Sequence, residues 1–114
     1  MKKLIIMLLI ICLATTVFAQ KIALIGAMDS EIELLKNSMK NVTEVKIGAI
    51  TYYEGTLEGK NIVLLKTGVG KVNAAIGADT VIREFEVESI IFTGVAGAID
   101  NKLNIADIVI SKTA

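Results

Sequence analysis

The chain has 114 residues, 12 basic and 12 acidic side chains, one cysteine and no histidine. Without histidine, histidine-dependent triads and the common zinc sites are excluded, so acid–base chemistry falls to carboxylates, lysine, tyrosine or water. A balanced charge carries no signature of nucleic-acid binding or of attraction to an anionic membrane.

Residues 1–19 read as a signal peptide. Lys2 and Lys3 form a positive start, Leu4 to Leu13 an apolar run, and Val17 and Ala19 put small residues at −3 and −1 of a cleavage site before Gln20. The uncharged stretch Leu4–Ala19 is 16 residues, short of the roughly 20 that a spanning helix needs. Cys12 follows Leu9-Ile10-Ile11 in the manner of a lipoprotein site, but Ile11 is bulkier than the small residue that site requires. Cleavage would leave residues 20–114 with formal charge −2 and no cysteine, hence no disulfide or thiolate chemistry. The expected location is periplasmic or extracellular.

The first strand is Lys21-Ile-Ala-Leu-Ile, closed by Gly26, whose missing side chain permits an unusual backbone conformation. Ser30 with Glu33 three places on forms a capping-box pattern and predicts a helix over 30–40, with Ile32, Leu35 and Met39 on one face. Glu31 then lies in the first turn, just beyond a strand's carboxyl end, where open α/β sheets hold ligands. Position alone favours a structural role, since acidic residues complement a helix's amino-terminal dipole.

Asn41-Val-Thr reads as a loop and Glu44–Ile47 as a strand. Residues 49–57 and 61–66 form a hairpin around Glu58-Gly59-Lys60. Thr67-Gly-Val-Gly70 feeds a helix over 71–85 with Val72, Ala75 and Ile76 facing inward. Residues 88–93 are a buried-type strand emptying into Gly94-Val-Ala-Gly-Ala98. Asp100-Asn-Lys is a polar turn and 106–111 a last strand. The order β-α-β-β-β-α-β-β predicts a three-layer α/β/α domain with a mixed central sheet.

Three glycine-bearing turns, at Gly26, Gly68/Gly70 and Gly94/Gly97, follow strands. The middle one is no dinucleotide fingerprint, because Asn73 occupies the third glycine's place, and it lacks Walker spacing. Singly, each is ordinary strand-exit geometry. Together, with a carboxylate at the first, they predict a small-molecule cleft.

Ile25-Gly-Ala-Met-Asp-Ser-Glu31, Lys66-Thr-Gly-Val-Gly-Lys-Val-Asn-Ala-Ala75, Thr93-Gly-Val-Ala-Gly97 and Ala106-Asp-Ile-Val-Ile-Ser111 occur in that order. Together they resemble the amino-terminal half of the 5′-methylthioadenosine/S-adenosylhomocysteine nucleosidases of the purine nucleoside phosphorylase/uridine phosphorylase superfamily. The resemblance implies a truncated nucleoside phosphorylase-like fold over residues 20–114. It also implies hydrolysis of an adenine nucleoside's N-glycosidic bond by water, without a cofactor, in a protein that at full length is a homodimer. Glu31 falls at the water-activating carboxylate. Ala27 and Met28 fall beside the ribose and alkylthio group, Val69 near the thioalkyl tail, and Val95, Ala96 and Gly97 along the nucleoside.

Within the superfamily, phosphorylases resemble one another in placing arginines around a phosphate. Here the only arginine is Arg83, inside a helix, while Asp29 and Glu31 stand at the first turn. Hydrolysis is therefore expected over phosphorolysis. Val95 replaces a serine common in the family, and Ala98 a glycine. The family's second half, which resembles a supplier of the purine-protonating Asp, the ribose-holding Met-Glu pair and the dimer contacts, has no counterpart. The 114-residue form is thus expected to be weakly active or inactive, a nucleoside-binding fragment in the extreme, and marginally stable with an open sheet edge.

Overall fold

A computed structural model of the chain describes residues 1–13 and 20–113. The elements are α1 (Lys2–Leu13), β1 (Lys21–Gly26), α2 (Asp29–Ser38), β2 (Lys40–Ile47), β3 (Ile50–Leu57), β4 (Lys60–Lys66), α3 (Lys71–Phe85) and β5 (Ser89–Phe92). The apolar run near the amino terminus forms α1, and the expected cleavage site at Val17–Ala19 lies outside the described residues. Among those residues no helix is long and apolar enough to cross a membrane.

The five strands form one mixed sheet in the order β2-β3-β4-β1-β5. β1 runs parallel to β4 and β5, and β3 runs antiparallel to β2 and β4. The parallel pair β1/β4 is buried on both sides, which is why both strands are nearly continuous apolar runs. Side chains alternate between faces. Ala23, Ile25, Val63 and Leu65 meet Tyr52, Val81 and Phe85 under α3. Leu24, Ile62 and Leu64 meet Ile32 and Met39 under α2. The expected α/β/α layering follows from these two half-cores, and the Ile32, Leu35, Met39 face of α2 packs as its spacing predicts.

The buried-type strand expected over 88–93 forms as β5 but is exposed at all four of its residues, because no element covers it among the described residues, and four further expectations about the elements need correction. First, α2 opens at Asp29, not Ser30, with Met28 as its N-cap. Met28 has no side-chain oxygen to offer, and the carboxylate reaching back to the cap N–H is Glu31, not Glu33. Second, Asn41–Thr43 is not a loop. β2 starts at Lys40, and a bulge between Lys40 and Thr43, with Asn41 at φ 54°, absorbs the irregular residues while pairing with β3 continues.

Third, α3 does not turn Val72, Ala75 and Ile76 inward, since all three are exposed. Its buried line is Gly77, Val81 and Phe85. A Cβ on Gly77 would stand 2.4 Å from Thr67 Cγ2 and 3.2 Å from Leu65 Cδ1, so the helix comes close to the end of β4 where it has no side chain. This close approach at Gly77 sets the helix rotation, and the bulkier Val72 and Ile76 are left outside.

Fourth, residues 106–111 form no strand. Asn104 N–H donates to the Asp107 carboxylate (2.8 Å), Asp107 N–H donates back to Asn104 O (3.1 Å), and Ala106 sits at φ 75°. A local turn therefore takes the Asp107 N–H, and the left-handed Ala106 breaks the extended run. Among the described residues no strand lies beyond β5 to receive this segment, and Ile108, Val109 and Ile110 are exposed.

Candidate active site

β1, β4 and β5 run parallel, so their carboxyl ends lie on one edge of the sheet. Backbone hydrogen bonds tie the three exits together. Thr67 N–H donates to Gly26 O at 3.0 Å and Thr93 N–H to Ile25 O at 2.8 Å. The Thr67 hydroxyl donates to Gly68 O at 3.0 Å. Gly68 and Gly70 take φ of 86° and 108°, which a side chain would resist, so the β4 exit turns sharply into α3. Asn73 steadies it by donating from Nδ2 to Val69 O (2.8 Å).

Gly26 does not follow the expectation made for it. It has no left-handed φ. What it supplies is room, since a Cβ there would meet Ile32 Cγ2 at 2.5 Å and Glu31 Cβ at 3.2 Å. That room lets the first turn of α2 fold back onto the end of β1 and bring Glu31 to the edge.

Glu31 is held by three backbone donors. Oε2 accepts from Ala27 N–H (2.7 Å) and Met28 N–H (2.9 Å), and Oε1 accepts from Val95 N–H (3.1 Å) on the β5 exit. The bond from Met28 above all, then those from Ala27 and Val95, hold its carboxyl below the ordinary glutamate range, and slight burial opposes them. The group is therefore a carboxylate at neutral pH. It can accept further hydrogen bonds from a water or a sugar hydroxyl and can stabilise nearby positive charge.

The neighbouring acid is placed differently. Lys66, the last residue of β4, reaches both carboxylate oxygens of Asp29, at 2.7 and 2.8 Å. Asp29 is thus paired with a cation and tied to the neighbouring strand. Among the described residues Glu31 has no cationic partner. The edge consequently presents one uncompensated carboxylate, not the two that the sequence suggested.

Of the residues singled out in the sequence, Ala27, Met28, Glu31 and Val95 are brought together directly. Val69 lies on the β4 exit, 73% exposed, and Ala96 and Gly97 follow Val95 on the β5 exit. No hydrogen bond joins these three to Glu31, and a Cβ on Gly97 would have open space around it. They share the edge with the carboxylate.

A cavity of about 440 Å³ lies beside the edge on the α3 side, walled by Ile50, Lys66, Gly68, Asn73 and Ile76, and Glu31 is not among its walls. The carboxylate faces an open edge because Val95, Ile99 and Ile105 stand in solvent and do not fold over it. Among the described residues no group of three or more acidic, histidine or cysteine side chains could hold a metal ion.

Sequence reading missed Lys66 as Asp29's partner and Gly94 as a wall of the carboxylate's slot. Lys66 ends a strand and reads as a solvated cation until the register sets it opposite Gly26.

The position of Glu31 makes stability depend on pH. Its native pKa is lowered, so the unfolded chain binds the proton more tightly and stability rises with pH across this window. The contribution is fully present above the unfolded value of about 4.3 and is lost as pH falls through the native one. Urea midpoints measured from pH 3 to 7 should fall more steeply in acid for the wild type than for Glu31→Gln. Parallel curves would show that the three donors do not act on this group.

The chain is similar to 5′-methylthioadenosine/S-adenosylhomocysteine nucleosidases at the level of both sequence and structure. That of Halalkalibacterium halodurans is 53% identical over 91 residues, covering 80% of this chain and 39% of that protein. That of Listeria welshimeri is 50% identical over 90 residues, covering 79% and 39%. The crystal structure of the Neisseria meningitidis nucleosidase with methylthio-immucillin-A superposes with TM-score 0.73 at 47% identity, over 75% of this chain and 37% of that one. The Streptococcus pyogenes S-adenosylhomocysteine nucleosidase with 5-methylthiotubericidin gives 0.76 at 34% identity, over 81% and 39%. The chain thus spans about 39% of the length of the curated relatives it matches. The family model described as the phosphorylase superfamily matches residues 21–114, which takes in all five strands and the three exits at their shared edge, and the chain belongs to that superfamily.

Proposed function

We propose that this chain is the amino-terminal part of an N-ribosyl hydrolase that cleaves 5′-methylthioadenosine and S-adenosylhomocysteine, releasing adenine in nucleoside and methionine salvage. The observation that carries this is the Glu31 carboxylate, ionised and fixed by N–H groups from two strand exits. In the reaction the bond from C1′ to the purine nitrogen breaks with its electron pair leaving on the base. The ribosyl group becomes oxocarbenium-like, water adds at C1′, and the base takes up a proton. Glu31 orients that water and stabilises the developing positive charge. Ala27, Met28 and Val69 border the ribose and its thio-substituent, and Val95, Ala96 and Gly97 the rest of the nucleoside. No cofactor takes part.

Water is favoured over phosphate by the placement of charge. Arg83 pairs with Asp79 four residues earlier on α3. It lies 12 positions into a helix whose amino end is the one at the edge, roughly 18 Å along at 1.5 Å per residue. A cation so placed cannot hold phosphate beside Glu31.

A second reading, a fragment that binds nucleoside without turnover, is favoured by the open edge. Ile91 and Phe92 of β5 are more than half exposed. The test is adenine release from methylthioadenosine by the chain alone and by the chain co-expressed with the part of the Halalkalibacterium halodurans enzyme that has no counterpart here. Release in the second case, at a rate indifferent to phosphate, is expected. Phosphate-dependent release would assign a phosphorylase, and none in either case would leave the binding fragment. Export after removal of residues 1–19 belongs to the same proposal, and recovery of the protein only in the cytoplasmic fraction would refute it. A homodimer is proposed for the complete protein alone.

A further inference from the structure

Glu31 Oε1 lies in a slot whose wall is Gly94. A Cβ on Gly94 would stand 3.0 Å from Oε1, 3.4 Å from the carboxyl carbon and 3.5 Å from Cε1 of Phe92. The backbone there is not left-handed, unlike that of Gly68 and Gly70, and the residue is exposed. Neither turn geometry nor core packing therefore calls for glycine at this position. The carboxylate does.

We propose that Gly94 is a positioning residue for Glu31: its missing side chain leaves the space in which Oε1 meets the Val95 N–H. The proposal rests on the hydrolase reading only for what the carboxylate then does. A contact of 3.0 Å between a methyl carbon and a carboxylate oxygen is too short to persist, so one of them moves by a few tenths of an ångström. Oε2 cannot follow freely, because Ala27 N–H and Met28 N–H hold it at 2.7 and 2.9 Å. Retreat is therefore a rotation about Oε2 that carries Oε1 off the methyl. The expected consequence is that the same rotation carries Oε1 off the neighbouring Val95 N–H and lengthens a bond that is 3.1 Å at the start. The β5 exit thereby loses its link to the carboxylate, and the group that would orient water turns relative to the edge.

The sign of the effect on the proton follows. A weaker bond from Val95 and a methyl replacing water both favour the neutral acid. In the full 114-residue chain, the side-chain ¹³C carboxyl titration of Glu31 should shift upward in Gly94→Ala, and the Val95 amide should exchange its hydrogen faster. Gly97→Ala should change neither, because a Cβ there meets nothing within 4 Å. An unmoved Glu31 titration in Gly94→Ala, or an equal shift in Gly97→Ala, would overturn the proposal.

Should Gly94→Ala fold poorly, the double variant Glu31→Ala/Gly94→Ala decides. With the carboxylate gone the methyl has room, so the cost of the alanine should disappear in that background. A cost that persists there would also overturn it. Neither readout depends on turnover. Failure of the slot would leave the hydrolase reading standing, and absence of adenine release would leave the slot standing.

Discussion

Glu31→Gln is expected to lower adenine release by a factor of about 10² to 10⁴, the range associated with loss of a positioned acid–base group, while leaving the fold intact. Glutamine keeps the length of the side chain but replaces one carboxylate oxygen by an NH2 group. If the amide oxygen stays with Ala27 and Met28, the NH2 faces the Val95 N–H, donor against donor. If it turns over, two donors are orphaned in place of one. Either way the negative charge that would oppose an oxocarbenium-like sugar is gone. The check is kcat and KM for methylthioadenosine in the co-expressed enzyme. A fall confined to kcat is the expected pattern, since the carboxylate acts on charge that develops only as the bond breaks. Unchanged kcat would remove Glu31 from the chemistry and with it the proposed reaction.

Gly77→Ala is expected to destabilise the protein by about 2 kcal/mol, against the usual preference for alanine within a helix. Helix propensity alone would make the variant more stable by about 1 kcal/mol. Packing decides otherwise. The new Cβ would lie 2.4 Å from Thr67 Cγ2 and 3.2 Å from Leu65 Cδ1, and both neighbours are buried. Thr67 is β-branched and its hydroxyl is bonded to Gly68 O, so its methyl cannot rotate away cheaply. Overpacking of this kind costs about 1 to 3 kcal/mol, and the stiffness of Thr67 puts this case at or slightly above the upper end. Urea denaturation measures it. A stabilised variant would mean that α3 does not approach β4 as closely as it does here. Because Thr67 also donates to Gly26 O, the shift should be felt at the Glu31 edge.

Residues 106–111 and α3 show where local pattern and tertiary context part. Ile108-Val-Ile110 has β-favouring composition, but strand structure belongs to a pair, and no neighbouring ladder reaches it among the described residues. In α3, apolar residues occupy two stripes. Bulk favours Val72 and Ile76 as the inner one, and only the facing surface of β4 shows that the helix must turn Gly77 toward Thr67. Elsewhere pattern and structure agree. The β3–β4 hairpin about Glu58-Gly59 and the packed face of α2 are examples.

The amino-acid sequence by itself determined the α/β order as far as β5, the mixed sheet and the three strand-exit turns, because apolar periodicity and turn chemistry are properties of contiguous residues, while Glu31 was singled out by the family resemblance. It also set the family resemblance that the matches to known nucleosidases bear out. Only the tertiary structure decided which donors hold Glu31, that Lys66 pairs with Asp29, and that Gly26, Gly77 and Gly94 are needed for space and not for backbone freedom. Those facts depend on residues 3 to 64 positions apart meeting within a few ångströms, and the contacts between strand exits are fixed by the register of parallel strands, which no local pattern encodes.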